Sequence, residues 1–202
     1  MLASVMQIWR MAPASPATSL KVQIQMPLRR PNVGMSLGIT SSNQIAEQVI
    51  HPYYLKQYNN RWFLFGKNPE YEGIRNLALD RIEDEITETN TDYILNTEYN
   101  FDEYFEDIIG VTKSGGKQIE KVKLWFSPAQ APYIHTKPLH GTQKEKWDES
   151  GLTLTVEVIP NVELEQLILR YGENCQVLEP KQLRTRIQER LNEAAQNYKS
   201  SI

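Results

Sequence analysis

The feature that most restricts the fold of this chain is a pair of aromatic, β-branched runs joined by two asparagines. Residues 48–58 and 61–67 are strand-like, and Asn59-Asn60 separates them. Asn tolerates positive φ, so a two-residue Asn-Asn connection predicts a tight β-hairpin. That turn sets the register: Tyr58 opposite Arg61, Gln57 opposite Trp62, Lys56 opposite Phe63, Leu55 opposite Leu64 and Tyr54 opposite Phe65. Side chains alternate faces along a strand. One face therefore carries Leu55, Trp62 and Leu64 and reads as core. The other carries Tyr54, Lys56, Tyr58, Arg61, Phe63 and Phe65, aromatic and cationic together.

Composition limits what surrounds this hairpin. The chain has 202 residues, 40% apolar and 23% charged, enough for one domain or two small ones with a real core. Nothing approaches the ~18 consecutive apolar residues of a membrane helix, so no membrane association is expected. The net charge of −3 is uneven. Residues 1–46 contain no acid and four cations, Arg10, Lys21, Arg29 and Arg30, which leaves the remainder strongly acidic. Such a body is a poor non-specific polyanion binder, so any nucleic-acid contact needs a local basic patch. Cys175 is the single cysteine. It excludes an internal disulfide and a cysteine-based zinc site, and it fits a reducing, cytoplasmic setting.

Residues 1–19 lack the basic start and apolar centre of a signal peptide and read as a flexible tail or non-native leader. Residues 20–26 alternate Val22, Ile24 and Met26 with Lys21, Gln23 and Gln25, a half-buried strand. Residues 27–44 are a loop marked by Pro, Gly and Ser. After the hairpin, Asn68-Pro69 turns the chain into a third strand near 74–79, where Arg75 alternates with Leu77 and Leu79. Arg forks onto phosphate and aromatic rings stack on bases, so cations among aromatics suit an anionic ligand with flat rings. The same residues also fit long side chains snorkelling from the rim of an ordinary sheet.

His51-Pro52-Tyr53-Tyr54-Leu55-Lys56-Gln57-Tyr58, then Arg61-Trp62-Phe63-Leu64, then Arg75-x-Leu77-x-Leu79-Asp80-Arg81-Ile82, resemble the WYL domain, with Trp62-Phe63-Leu64 where the family usually has Trp-Tyr-Leu. The resemblance covers roughly 47–199. It implies a small Sm/SH3-type β-barrel that acts as a sensory or regulatory part and binds nucleotide-like or nucleic-acid ligands through basic residues. Those basic positions map onto Arg61, Arg75 and Arg81, with Lys56, His51, Tyr54 and Phe63 as helpers. Residues 1–46 show no two helical periods around a turn, so the helix-turn-helix unit usual ahead of such domains is not expected there.

The second half offers no catalytic motif. Acids at Glu83, Asp84, Glu85, Glu88, Asp92 and 102–107 read as solvated helix and turn faces. Phe101, Tyr104, Phe105, Ile108 and Ile109 have helical spacing, ended by Gly110. Residues 110–117 superficially match a phosphate loop, but Gly116 precedes Lys117 out of register and Gln118 replaces the metal-binding hydroxyl. His135 and His140 lack a third ligand at metal spacing, no Gly-x-Ser-x-Gly elbow exists, and Cys175 reads as a small core residue. From 118 onward the pattern is strand 119–126, helix 129–136, strand 142–148, strand 152–159, helix 162–171, strand 176–178 and helix 181–198. This βαββαβ order with an added helix is ferredoxin-like, and it resembles the C-terminal extension that follows WYL domains.

The sequence thus predicts an α+β chain: a leader over 1–19, a WYL-like Sm/SH3 barrel over 20–112 and a ferredoxin-like domain over 113–202. The expected function is non-catalytic, without cofactor or metal. It is the sensing of a nucleotide-like molecule or single-stranded nucleic acid, in transcriptional regulation, by a homodimer paired through the C-terminal half. The alternative is an assembly module that dimerises through the C-terminal domain and keeps only a vestigial pocket.

Overall fold

The computed structural model describes residues 19–26, 44–113 and 115–199, with 23–26, 44–46 and 83–85 described by backbone only. The expected leader before Ser19 and the expected loop before Gln44 lie outside the described residues. The chain divides into two compact units between Tyr99 and Asn100, each with its own antiparallel sheet.

The first unit holds β1 (Leu20–Met26), β2 (Gln44–Tyr58), β3 (Arg61–Lys67), β4 (Ile74–Ala78), a 3-10 turn (Leu79–Arg81) and β5 (Ile82–Glu88). Asn59 and Asn60 have φ of 48° and 61°, the left-handed pair that a tight hairpin turn demands. The β2–β3 pairing follows the register read from that turn, from Tyr58–Arg61 through Tyr54–Phe65. A bulge between Pro52 and Tyr54 then shifts it, and His51 pairs with Lys67. Leu20, Val22, Ile50, Leu64, Leu77, Leu79 and Ile86 form the core, with Leu55 and Trp62 packed half-buried against it. Each large apolar side chain buried in this way contributes about 1.5–3 kcal/mol. Gly66, opposite Pro52, lies against the His51 carbonyl, where a Cβ would collide with backbone.

The sheet order is β4-β3-β2-β1-β5. No strand pairing among the described residues closes the expected barrel. β4 gives way to the 3-10 turn after Ala78, and β5 pairs with β1 at the far edge rather than with β4. The acid-rich stretch 82–88, read from sequence as solvated helix or turn, is the edge strand β5.

The second unit begins with α1 (Phe101–Tyr104) and continues through β6 (Glu120–Phe126), α2 (Ala131–Thr136), β7 (Lys144–Asp148), β8 (Gly151–Val158), α3 (Val162–Arg170), β9 (Cys175–Glu179) and α4 (Lys181–Lys199). Its strand order is β7-β8-β6-β9. Val122, Leu124 and Phe126 alternate inward on β6, and Leu152, Leu154, Val156 and Val158 do so on β8. Leu164 and Ile168 from α3, and Leu183 and Ile187 from α4, complete this core.

The sequence reading begins this unit at 113, whereas the compact unit starts at Asn100. The intervening segment is held from below. Ile109 belongs to the second core. The Asn161 amide, which caps α3 by accepting from Leu164 N, donates to the Ile109 and Thr112 carbonyls. The helix expected across 101–109 shortens to one turn: after Tyr104 N donates to the Asn100 carbonyl the bonds tighten to Glu106 N on Glu103 and Ile108 N on Phe105, and the free Asp107 carbonyl accepts from Ile159 N.

Candidate functional site

The hairpin register brings four of the seven expected site residues to one face. Lys56 lies opposite Phe63, Tyr54 opposite Phe65 and Tyr58 opposite Arg61, and paired residues project to the same side. The face is graded. Phe65 is fully buried, Phe63 and Lys56 are half-buried, and Tyr54 is 38% exposed. Burial lowers the Lys56 ammonium from its ordinary value, which strengthens its attraction for any anion that replaces water beside it.

Arg61 is engaged. Its Nε donates to Asp80 Oδ2 at 2.9 Å, and its Nη2 contacts the same oxygen. Asp80 comes from the 3-10 turn, and Arg81 follows it, exposed at the end of that turn. The pair is surface-accessible, so it contributes about 0.2–1 kcal/mol to stability.

The other two expected residues go elsewhere. Arg75 pairs with Gly66, in the same alternation as Leu77 opposite Leu64, and so lies across the sheet from Arg61. Its guanidinium stacks 4.4 Å over the Tyr71 ring, a cation–π contact that sequence reasoning missed. The signal was available in an aromatic four residues ahead of an Arg across a Gly-containing turn.

His51 is fully buried. Its Nδ1 lies 3.0 Å from Ser19 Oγ and 3.2 Å from Ile94 N. Its ring meets Tyr93 edge-on at 5.7 Å, and burial lowers its pKa. It cannot touch a surface ligand without rearrangement. Close by, Tyr53, Lys67 and residues 94–99 line a cavity of about 70 Å³, room for only a very few waters.

In the second unit His135 Nδ1 lies 2.8 Å from Glu145 Oε2, and Gln143 and Trp147 donate to the same carboxylate. Burial pushes Glu145 up, but these hydrogen bonds outweigh it and hold the carboxyl below its usual value. Burial pushes the Cys175 thiol up to about 12, the opposite of nucleophile activation. Among the described residues no His, Cys, Asp and Glu gather as a metal site, and no helix is long and apolar enough to cross a membrane.

Comparison with known proteins adds domain identities. The WYL domain model matches residues 40–85, and the WCX domain model matches residues 118–195. No curated protein sequence matches. Among solved structures, the chain is similar to Proteasome accessory factor B/C (PafBC) of Arthrobacter aurescens at 17% identity and a TM-score of 0.35, over 89% of this chain and 25% of that one. It is also similar to a CRISPR Cas-related protein at 11% identity and a TM-score of 0.50, over 99% of this chain and 51% of that one. The chain therefore spans about a quarter and about half of those two lengths, and the second likeness is one of fold alone. With both domain models matched in order along the sequence, the chain belongs to the proteins that join a WYL domain to a WCX domain.

Proposed function

We propose that this protein is a non-catalytic sensory module whose WYL unit binds an anionic, ring-bearing ligand, a nucleotide or a short single strand of nucleic acid. One observation carries the reading: Lys56 and Arg61 share a face with Tyr54 and Phe63. Phosphate oxygens would take hydrogen bonds from Arg61 and the Lys56 ammonium, with Arg81 at the rim, while a base stacks on the rings. Arg75, tied to Tyr71 on the opposite side, is assigned a second, weaker phosphate contact, and buried His51, on the side of Tyr54 but covered by residues 93–94, is assigned no direct contact with the ligand. Transcriptional regulation in the cytoplasm is the process we assign to such a sensor. The strand order β4-β3-β2-β1-β5 supports reading the first unit as an open relative of the Sm/SH3 barrel. The βαββαβ succession supports a ferredoxin-like second unit.

The test is a titration of a labelled oligothymidylate into wild type and Arg61→Ala at fixed salt. An Arg–phosphate contact is worth about 1.5–3 kcal/mol, so Arg61→Ala should weaken binding roughly tenfold or more. Equal binding by the two folded proteins would remove the assignment.

A second reading, assembly through the C-terminal unit, is favoured by α4. Leu191 and Tyr198 on this helix are 42% and 84% exposed, and Val177, Ile187 and Leu191 line a groove of about 280 Å³ between β9 and α4. Light scattering at ~100 μM, well above a micromolar dissociation constant, should give the mass of a homodimer. A monomer mass would count against it.

A further inference from the structure

Residues 89–99 carry the chain from β5 to the start of the second unit, and they are fastened at four points. Thr89 N donates to the Ser19 carbonyl at 3.0 Å. Ser19 Oγ donates to the Thr91 carbonyl at 2.7 Å. Tyr93 Oη donates to the Pro52 carbonyl at 2.7 Å. Ile94 N lies 3.2 Å from His51 Nδ1.

The last of these is the only one that depends on a group titrating near neutral pH, since burial raises the Tyr93 phenol further above its ordinary value. A hydroxyl has one proton, and Ser19 Oγ spends it on Thr91. Nδ1 must therefore be an unprotonated acceptor if it is to hold Ile94 N–H, which places the imidazole proton on Nε2. Nε2 is buried and has no hydrogen-bond partner among the described residues. A buried donor in that state is costly, and the ring keeps it in return for the bond to Ile94. When His51 takes a second proton, Nδ1 becomes a donor. It can then give its proton to Ser19 Oγ at 3.0 Å, completing a relay to the Thr91 carbonyl. Ile94 N–H is left facing another N–H, and its bond is lost.

We propose that residues 89–99 form a strap latched by neutral His51, and that protonation of His51 releases this strap from Ile94 onward. The surroundings favour the neutral ring. Lys67 is its cross-strand neighbour on β3, and from the strap it meets the Tyr93 ring. Glu98, further along, acts electrostatically on Tyr53. Desolvation lowers the His51 pKa in the latched form. The released form titrates near the ordinary value of 6.5, so the opening constant rises progressively as pH falls below about 6.5. The Ser19, Thr89 and Thr91 contacts survive, and the opening is confined to the half of the strap that leads to Asn100. The latch does not depend on which ligand the WYL face takes.

The experiment is site-resolved amide hydrogen exchange on the full chain at pH 7.5 and 5.5, with protection factors corrected for intrinsic exchange. With an open-state pKa near 6.5, protection of the Ile94 amide should fall about tenfold between the two, while that of Leu124 and Leu64 stays constant. In His51→Gln, whose side-chain oxygen accepts but does not titrate, Ile94 protection should not change with pH. The imidazole nitrogen shifts of wild type at pH 7.5 provide a reading that needs no variant: they should show the proton on Nε2. The proposal is overturned by an Nδ1–H tautomer, by pH-independent protection of Ile94 in wild type, or by a fall that Leu64 and Leu124 share.

Discussion

Asp80→Asn isolates the charge that competes for the proposed site. Any phosphate that reaches Arg61 meets the Asp80 carboxylate already on the same guanidinium, with Nε at 2.9 Å. Two anions on one guanidinium lie about 5 Å apart. At that distance their repulsion is roughly 0.8 kcal/mol in a fully aqueous dielectric and about twice that at half the dielectric. The Arg61 side chain is 43% exposed and that of Asp80 23%, which puts the pair near the watery end of the range. Removing the carboxylate charge should therefore gain about 1 kcal/mol, or about a fivefold tighter complex at low salt, shrinking as salt screens it.

The fold should hardly notice. An exposed pair is worth about 0.2–1 kcal/mol, and Asn keeps an oxygen for the Nε–H. The assay is fluorescence anisotropy with a labelled oligothymidylate at two salt concentrations, with a thermal melt of each protein as control. A midpoint change beyond roughly 5 °C would mean a larger structural role than this pair can have. An unchanged or weakened affinity in folded Asp80→Asn would refute the claim that Arg61 is the anion contact held in check by Asp80.

Three further outcomes test the architecture. Gly66→Ala should cost roughly 1–3 kcal/mol or more in urea unfolding, because the new methyl would meet the His51 carbonyl and, at 2.9 Å, Ile50 Cγ1; a neutral substitution would mean that β2 and β3 are further apart. Leu124→Ala, at the fully buried centre of the second sheet, should cost about 2–5 kcal/mol in the second unit, measured by the same unfolding curve. With its thiol pushed up to about 12, Cys175 at pH 8 should react with a disulfide reagent roughly fiftyfold more slowly than a free thiol, the smaller thiolate fraction being partly offset by the greater nucleophilicity of a more basic thiolate, and labelling at a free-thiol rate would show that the site is open.

Much of this was legible because it depends on local chemistry. The Asn-Asn turn sets a register, and the register dictates which side chains share a face, so the Tyr54, Lys56, Arg61 and Phe63 grouping needed no tertiary knowledge. Likewise the β6 and β8 alternation, with Val122, Leu124 and Phe126 against Leu152, Leu154 and Val156, is a period-two pattern with one solution. The start of the second unit was not legible in that way. Residues 100–112 owe their placement to Asn161 and Ile159, some fifty positions later, and no periodicity announces a segment held by another segment's side chain. The same holds for β5, whose acids look solvated from sequence and whose strand character comes from pairing with β1.

His51 shows how a single residue can turn the reading of a site. With unbroken alternation back from Leu55, an inward position, His51 would point into the core with it, and Pro52 would share the face of Tyr54. The bulge at Tyr53 reverses this, pairing His51 with Lys67 and Pro52 with Gly66, so that His51 projects to the same side as Tyr54, where the strap covers it. One sign of the bulge was present in the sequence: Pro52 cannot donate to a ladder, and inside a long strand proline is confined to edges and bulges. The strap had no comparable sign. Residues 89–99 have no apolar period, and their order rests on the Thr91 carbonyl and the Ile94 amide, which meet Ser19 and His51, and on the Tyr93 hydroxyl, which reaches the Pro52 carbonyl. A histidine beside the proposed anion site, taken from sequence as a ligand contact, is by this geometry a group that holds the covering segment. Its charge state therefore bears on the segment that leads to the second unit, and not on the ligand.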